Sequence, residues 1–187
     1  MSRLSTNPSL FLRLAAILFG LAFAQASQAV PILVDSAADN LIAGDGLCTL
    51  REAIDNANWD HDFTAGDCEP GLPGMDTIQI QSGLPTIVLN GTELILDRSM
   101  AIIGPAGGQE ISGNGVSRVF NVSGSYDPAG THEYRFENLH IINGRTSSSV
   151  SNDTPVIQCA GGGAGLCAVA GGVNVQRRVV MRNVEFR

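Results

Sequence analysis

The sequence contains no lysine. All eleven basic residues among its 187 are arginines, against eighteen acidic ones, and the formal charge is −7. Phosphate backbones and anionic lipid surfaces both require a basic face, so this balance argues against nucleic-acid binding and against attraction to an acidic membrane. Aromatic residues are few, with one Trp, two Tyr and seven Phe. No apolar run reaches the roughly 20 residues that a membrane-spanning helix needs. The longest is Leu14 to Ala24, "LAAILFGLAFA".

That short run has a layout of its own. Arg3 and Arg13 make the start basic, and the small residues of "AQASQAV" follow it. A basic start, a short apolar core and a small-residue exit make a secretory signal peptide over residues 1–29, with cleavage after Ala29 or after Ala26. The chain is therefore expected to be secreted, extracellular or held at the outer cell surface. The 158 residues from Val30 to Arg187 suffice for one domain with a real core. Without Arg3 and Arg13 the charge becomes −9.

Cysteine is scarce too. The four, Cys48, Cys68, Cys159 and Cys167, all lie beyond the leader. In an exported chain an even number favours disulfides. Three pairings are open, and the short-range choice is Cys48–Cys68 with Cys159–Cys167. Zinc is the competing use, but the spacings form no tight ligand pair and no histidine stands suitably near.

What the sequence does have is Gly, Ser, Thr, Asn, Val and Ile, the composition of short strands and tight turns. One stretch differs. In "CTLREAIDNAN", Thr49 followed three residues later by Glu52 forms a capping box. Leu50, Ala53, Ile54 and Ala57 fall on one apolar stripe, with Arg51, Asp55 and Asn56 on the other face. A helix over 49–58 is predicted, and one so short must lie on something apolar. A Gly-, Pro- and Asp-rich loop, Trp59 to Met75, follows. From Asp76 on the pattern is short strands: Asp76–Gln81, Thr86–Leu89, Glu93–Asp97, Ser99–Gly104, Gln109–Gly113, Ser117–Val122, Tyr134–Gly144, Gly171–Val175 and Arg178–Phe186. Gly161 to Gly172 reads as a loop.

A weak repeat links some of these strands. "FENLHIINGR" and "MRNVEFR" share an Asn-apolar-x-apolar core. Such repetition suggests a solenoid of stacked coils. A β-sandwich or jelly roll is the alternative, and would want longer strands with more even connections.

Taken together, "VDSAADN", "GDGLCTLREAIDNAN", "DTIQI", "LPTIVLNGTELILDRSMAIIGPAG", "LHIINGR" and "GGGAG" resemble the CSLREA-type N-terminal domain. That domain opens secreted bacterial right-handed parallel β-helix proteins, including polymorphic outer-membrane-protein-like ones. The motif residues are Cys48, Thr49, Leu50, Arg51, Glu52, Ala53, Ile54 and Asp76, with Thr49 where the family name has serine. Both residues cap helices. The resemblance implies an all-β, pectate-lyase-like right-handed β-helix with a short capping α-helix. Residues 30–75 would form the cap region and residues 76–187 the coils. The last coil is expected to be incomplete, because Arg187 falls in mid-coil. An open coil invites self-association through Val179 to Phe186.

Catalytic candidates are weak. Arg51 and Glu52 are adjacent on a helix and do not face one another; Arg51 is expected to pair with Asp55 or Asp76. Asp60, His61 and Asp62 carry metal-ligating side chains without further spaced ligands. Asp35, Asp39, Asp45, Asp67 and Asp76 are the oxygens a Ca²⁺ ion would use, without ligand-loop spacing. Hydrolysis would need two placed carboxylates. Asp76, Asp97, Asp127 and Asp153, with Arg98, Arg118, Arg135 and Arg145, make no recognisable arrangement. No catalytic residue, metal site or cofactor is assigned. The expected role is a structural or adhesin-like scaffold, with surface polysaccharide or a host or matrix component as partner. The alternative is a polysaccharide lyase, a glycoside hydrolase or a carbohydrate-binding module on the same fold.

Overall fold

A computed structural model describes residues 30–122, 132–145, 166–168 and 178–187. Cys159, Asp127, Asp153 and the strand read at Gly171–Val175 lie outside the described residues, as does the side chain of Cys167. One helix and ten strands follow in the order β1 (Ile32–Val34), α1 (Leu50–Trp59), β2 (Asp76–Ile80), β3 (Ile87–Val88), β4 (Leu94–Leu96), β5 (Met100–Ile103), β6 (Gln109–Ser112), β7 (Phe120–Val122), β8 (Glu133–Ile142), β9 (Leu166–Ala168) and β10 (Arg178–Phe186). Among the described residues the structure is mostly strand with a single helix, consistent with an all-β protein. No helix among the described residues is long and apolar enough to cross a membrane.

Every described ladder between named strands is parallel. A sandwich or jelly roll is built from antiparallel strands, so that alternative is excluded. The strands form a seven-stranded and a three-stranded sheet. Within the larger sheet β1, β2, β5, the first half of β8 and the start of β10 pair in succession. Along another line β3, β6, the second half of β8 and the end of β10 do the same. The smaller sheet is β4, β7 and β9.

Asparagine divides the two halves of β8. Asn138 has φ 54° and Asn183 of β10 has φ 50°, the left-handed conformation that Asn tolerates best after Gly. The Asn183 Nδ2 donates to Asn138 Oδ1 at 2.9 Å, one strand above the other. This is the Asn-apolar-x-apolar repeat in space. The Asn bends the strand; after Asn138, Leu139 and Ile141 turn into the core, while after Asn183 Val184 packs half-buried against it and Phe186 stays exposed.

Paired strands place like residues over one another. Ile78, Ile102 and Phe136 are in register, as are Ile87, Ile111 and Ile141, and Leu94 with Phe120. All of these are buried in one cluster, where each contributes about 1.5–3 kcal/mol by leaving water. Outward positions such as Gln79 and Ile95 alternate with them.

One sequence expectation is corrected. The Gly161–Gly172 stretch is not wholly loop, because the backbone of Leu166–Ala168 forms β9 on β7. The apolar triplet inside the glycine run is long enough to pair, although too short to show a period.

Candidate functional site

Helix α1 packs against β1, β2 and β4, at the β1 edge of the larger sheet. Its start is a complete capping box. Glu52 N–H donates to Thr49 Oγ1 at 3.2 Å, and Thr49 N–H donates to Glu52 Oε2 at 3.0 Å. Leu50, Ala53, Ile54 and Ala57 are all buried in the core cluster. Asp60 ends the helix in the left-handed conformation.

Arg51 does not pair with Asp55 or Asp76. Its Nε donates to Asp39 Oδ1 at 2.6 Å and its Nη2 to Oδ2 at 3.0 Å. It also donates to the carbonyls of Thr92 and Glu93. The Asp39 side chain is 2% exposed and accepts further from the Asn90 N–H at 2.6 Å. A carboxylate this deep needs a fixed fork of donors, which only arginine offers. Asp55, one turn along, is half-buried, and its carboxyl is pushed up by burial, with Arg51 pulling it back. Asp39 lies in the polar turn before the helix, so the pairing crosses from the turn into α1 and on to the entry of β4.

The asparagines of "NAN" are also not solvent-facing. Asn56 is fully buried, contrary to its assignment to the polar face. It accepts from the Phe63 N–H at 2.9 Å and donates to the carbonyl of Glu69. Asn58 donates to the carbonyl of Ile95 and accepts from the Asp97 N–H, both at 2.8 Å. Its amide thus satisfies two backbone groups beside β4, as a neighbouring strand would. No helical or strand period marks either role.

Cys48 and Cys68 are disulfide-bonded, with Cα atoms 5.0 Å apart. Beside them Asp67 accepts from three consecutive N–H groups, those of Gly44, Asp45 and Gly46. Asp35 accepts from the Cys48 N–H and Asp45 from the Leu47 N–H. Asp76 accepts from the Leu72 N–H. The five aspartates considered for Ca²⁺ are therefore each taken up by backbone donors, and they are dispersed. Among the described residues no group of three or more His, Cys, Asp or Glu side chains is placed to hold a metal. In "WDHDF", Asp62 is held by the Thr64 hydroxyl and N–H, which lowers its carboxyl. Asp60 pairs with Arg98, and His61 stacks edge-on against Phe63. The three do not converge.

Asp76 is the most perturbed carboxylate. Burial pushes it up to about 6, the Leu72 N–H opposes this, nearby Asp60 adds to the rise and Arg98 reduces it. Its Oδ2 is buried without a hydrogen-bond partner among the described residues. The fold binds this proton more tightly than the unfolded chain does. Its stabilising effect is therefore full below about pH 4 and is lost as pH rises through about 6. Asp76→Asn keeps an acceptor for Leu72 and carries no charge. The variant should have a higher urea midpoint than wild type at pH 7.5, with the gap closing by pH 4.5.

A separate groove of about 430 Å³ lies over the turns before β4 and β7. Glu93, Ile95, Ser117, Arg118 and Arg145 line it. Glu93 accepts from Arg118 at 2.5 and 2.9 Å and from Asn121 Nδ2 at 2.7 Å. Arg145 is exposed and makes no ion pair among the described residues. Arg118 and Arg145 came together here by the stacking of turns, while Arg98 and Arg135 stand elsewhere, on Asp60 and Glu133. The groove presents one carboxylate, already neutralised, and two guanidinium groups. Such a surface can hold an anion, but it lacks the paired carboxylates of glycoside hydrolysis.

Comparison with protein-family models, with curated proteins and with solved structures gives no match to this chain.

Proposed function

We propose that the chain is the capped N-terminal part of an exported right-handed parallel β-helix protein of the CSLREA type. It acts as a non-catalytic structural or adhesin-like scaffold at or beyond the cell surface. The supporting observation is the destination of the motif residues. Arg51, Glu52, Asn56, Asn58 and the Cys48–Cys68 disulfide all bind other parts of the same chain, across the β1 end of the parallel ladders. An end so covered is what a stack of coils requires, because its first coil otherwise exposes an apolar section and a strand edge. The strand succession supports the stacking, since three lines of parallel pairs each repeat in the same order along the chain.

The second reading is a carbohydrate-active or carbohydrate-binding protein on the same fold, and the groove beside Glu93 is what favours it. Because Glu93 is engaged by Arg118 and Asn121, the groove suits holding an acidic saccharide better than cleaving one. The two readings separate on incubation with a panel of acidic and neutral polysaccharides. The scaffold reading expects no new reducing ends and no unsaturated products. Turnover of any one polysaccharide, abolished by Glu93→Gln with folding intact, would replace it with the enzyme reading.

A further inference from the structure

The groove beside Glu93 differs in sign from the molecule that carries it. Its lining holds Glu93, Arg118 and Arg145, a formal +1, on a chain of −7. Glu93 is taken up by the Nε and Nη2 of Arg118 and by Asn121 Nδ2. The uncompensated charge is that of Arg145, which is exposed and has no side-chain partner among the described residues. Ser117 lines the same groove, and its Oγ is buried with no hydrogen-bond partner among the described residues. A buried hydroxyl left so costs free energy, and a ligand oxygen in the groove would accept from it.

The walls are fixed before any ligand arrives. The Arg145 N–H donates to the Ser117 carbonyl at 2.9 Å and the Leu94 N–H to the Val119 carbonyl at 2.8 Å. Arg51 reaches the Thr92 and Glu93 carbonyls from α1. Ile95 and Val116, 45% and 59% exposed, add apolar surface beside the hydroxyls of Thr92 and Ser117. The volume of about 430 Å³ falls within the roughly 300–1,000 Å³ of small-molecule sites, and a lone inorganic anion would leave most of it to solvent. A sugar acid combines what this lining can meet: an apolar C–H ring face, hydroxyls, and a carboxylate that a guanidinium grips with two parallel N–H groups. The negative charge of the whole chain repels a long polyanion, so the fit is to a short saccharide with few charges.

We infer that this groove binds a short saccharide bearing a carboxylate. The carboxylate sits on the Arg145 guanidinium, a ring hydroxyl accepts from Ser117 Oγ, and the ring's C–H face lies on Ile95 and Val116. Arg118 is a positioning residue, because it neutralises the Glu93 carboxylate that would otherwise repel the ligand. The inference rests on the carbohydrate reading given above and deepens it by naming the ligand and the side chains that hold it.

The test is a chemical-shift titration of the full chain with a glucose–glucuronate disaccharide, with its methyl ester and with inorganic sulfate. The acid should move the Arg145 side-chain N–H and the Ser117 and Ile95 backbone N–H resonances saturably. The ester and sulfate should each bind about tenfold or more weakly, since one lacks the charge and the other the ring. Arg145→Gln should weaken the acid about tenfold or more and Ser117→Ala about threefold. Arg135→Gln, whose arginine pairs with Glu133 elsewhere, should leave it unchanged. Ser117→Ala and the ester carry the test if Arg145→Gln fails to fold by circular dichroism. No saturable shift in the groove, an ester that binds as tightly as the acid, or an affinity that survives Arg145→Gln overturns the inference. Sulfate binding as tightly as the acid also overturns it, leaving an anion site only. The polysaccharide panel separates this inference from the reading beneath it. A polysaccharide that binds while the groove resonances stay still removes the groove and keeps the carbohydrate reading, and a panel that binds nowhere removes both.

Discussion

Replacing Arg51 with methionine should cost about 3 kcal/mol or more of unfolding free energy, although Arg51 touches no ligand. Methionine keeps most of the stem packing, so the loss isolates the guanidinium. What it leaves behind is the Asp39 carboxylate, 2% exposed, with its bidentate partner removed. Two carbonyls at the entry to β4 lose their donor in the same step. An internal comparison sharpens the expectation. Arg135 pairs with Glu133 at the same 2.6 Å, but the arginine is 46% exposed. Exposed pairs contribute under about 1 kcal/mol, so Arg135→Met should be nearly silent. Urea denaturation of both variants checks the contrast. Equal effects would mean that depth does not set the strength of the Arg51 contact.

Gly71→Ala should be of similar size and for a purely steric reason. A Cβ at Gly71 would stand 2.1 Å from the Asn56 carbonyl oxygen, 2.7 Å from its carbon and 2.8 Å from the Ala57 Cα. All three are backbone atoms of α1, so no side chain can swing away. The loop after Cys68 lies directly on the helix, and a methyl group would lift one from the other. Overpacking of this kind costs about 3 kcal/mol or more where nothing can yield. Gly107→Ala is the control, since a Cβ there meets nothing within 4 Å. Thermal unfolding should show a large loss for the first and almost none for the second.

These effects show which parts of the structure could be read from sequence. The capping box, the apolar stripe of α1 and the short-range Cys48–Cys68 pair are local patterns, and each occurs where its spacing indicates. The Asn-apolar-x-apolar repeat was legible because the left-handed bend at Asn138 and Asn183 demands the same residue in each copy. What remained hidden are contacts between segments far apart in the sequence. Asp39 with Arg51 and Asn90, Asn58 with Ile95 and Asp97, and Gly71 against Asn56 join segments with no shared period. The polar face assigned to α1 failed at Asn56 for the same reason. A polar residue with a full set of backbone partners can be buried, and its partners lie in a loop that carries no regular pattern.

The Arg-Glu pair at the start of α1 is thus an architectural element. Glu52 closes the helix start, and Arg51 fastens the helix to the turn before it and to the strand it covers. Native-state hydrogen exchange on wild type and Arg51→Met tests this most directly, because it reports which segments depend on the contact. Protection should fall at the Ala53 N–H within α1, at the Gln81 N–H bonded to Val34, and at the Asp97 N–H bonded to Asn58. It should persist at the Gly104 and Gly113 N–H groups, which bond to Glu137 and Ile142 farther from α1. If α1 and the β1–β2 ladder keep their protection without Arg51, the helix is not held as a cap by this residue, and the architectural reading of the motif is contradicted.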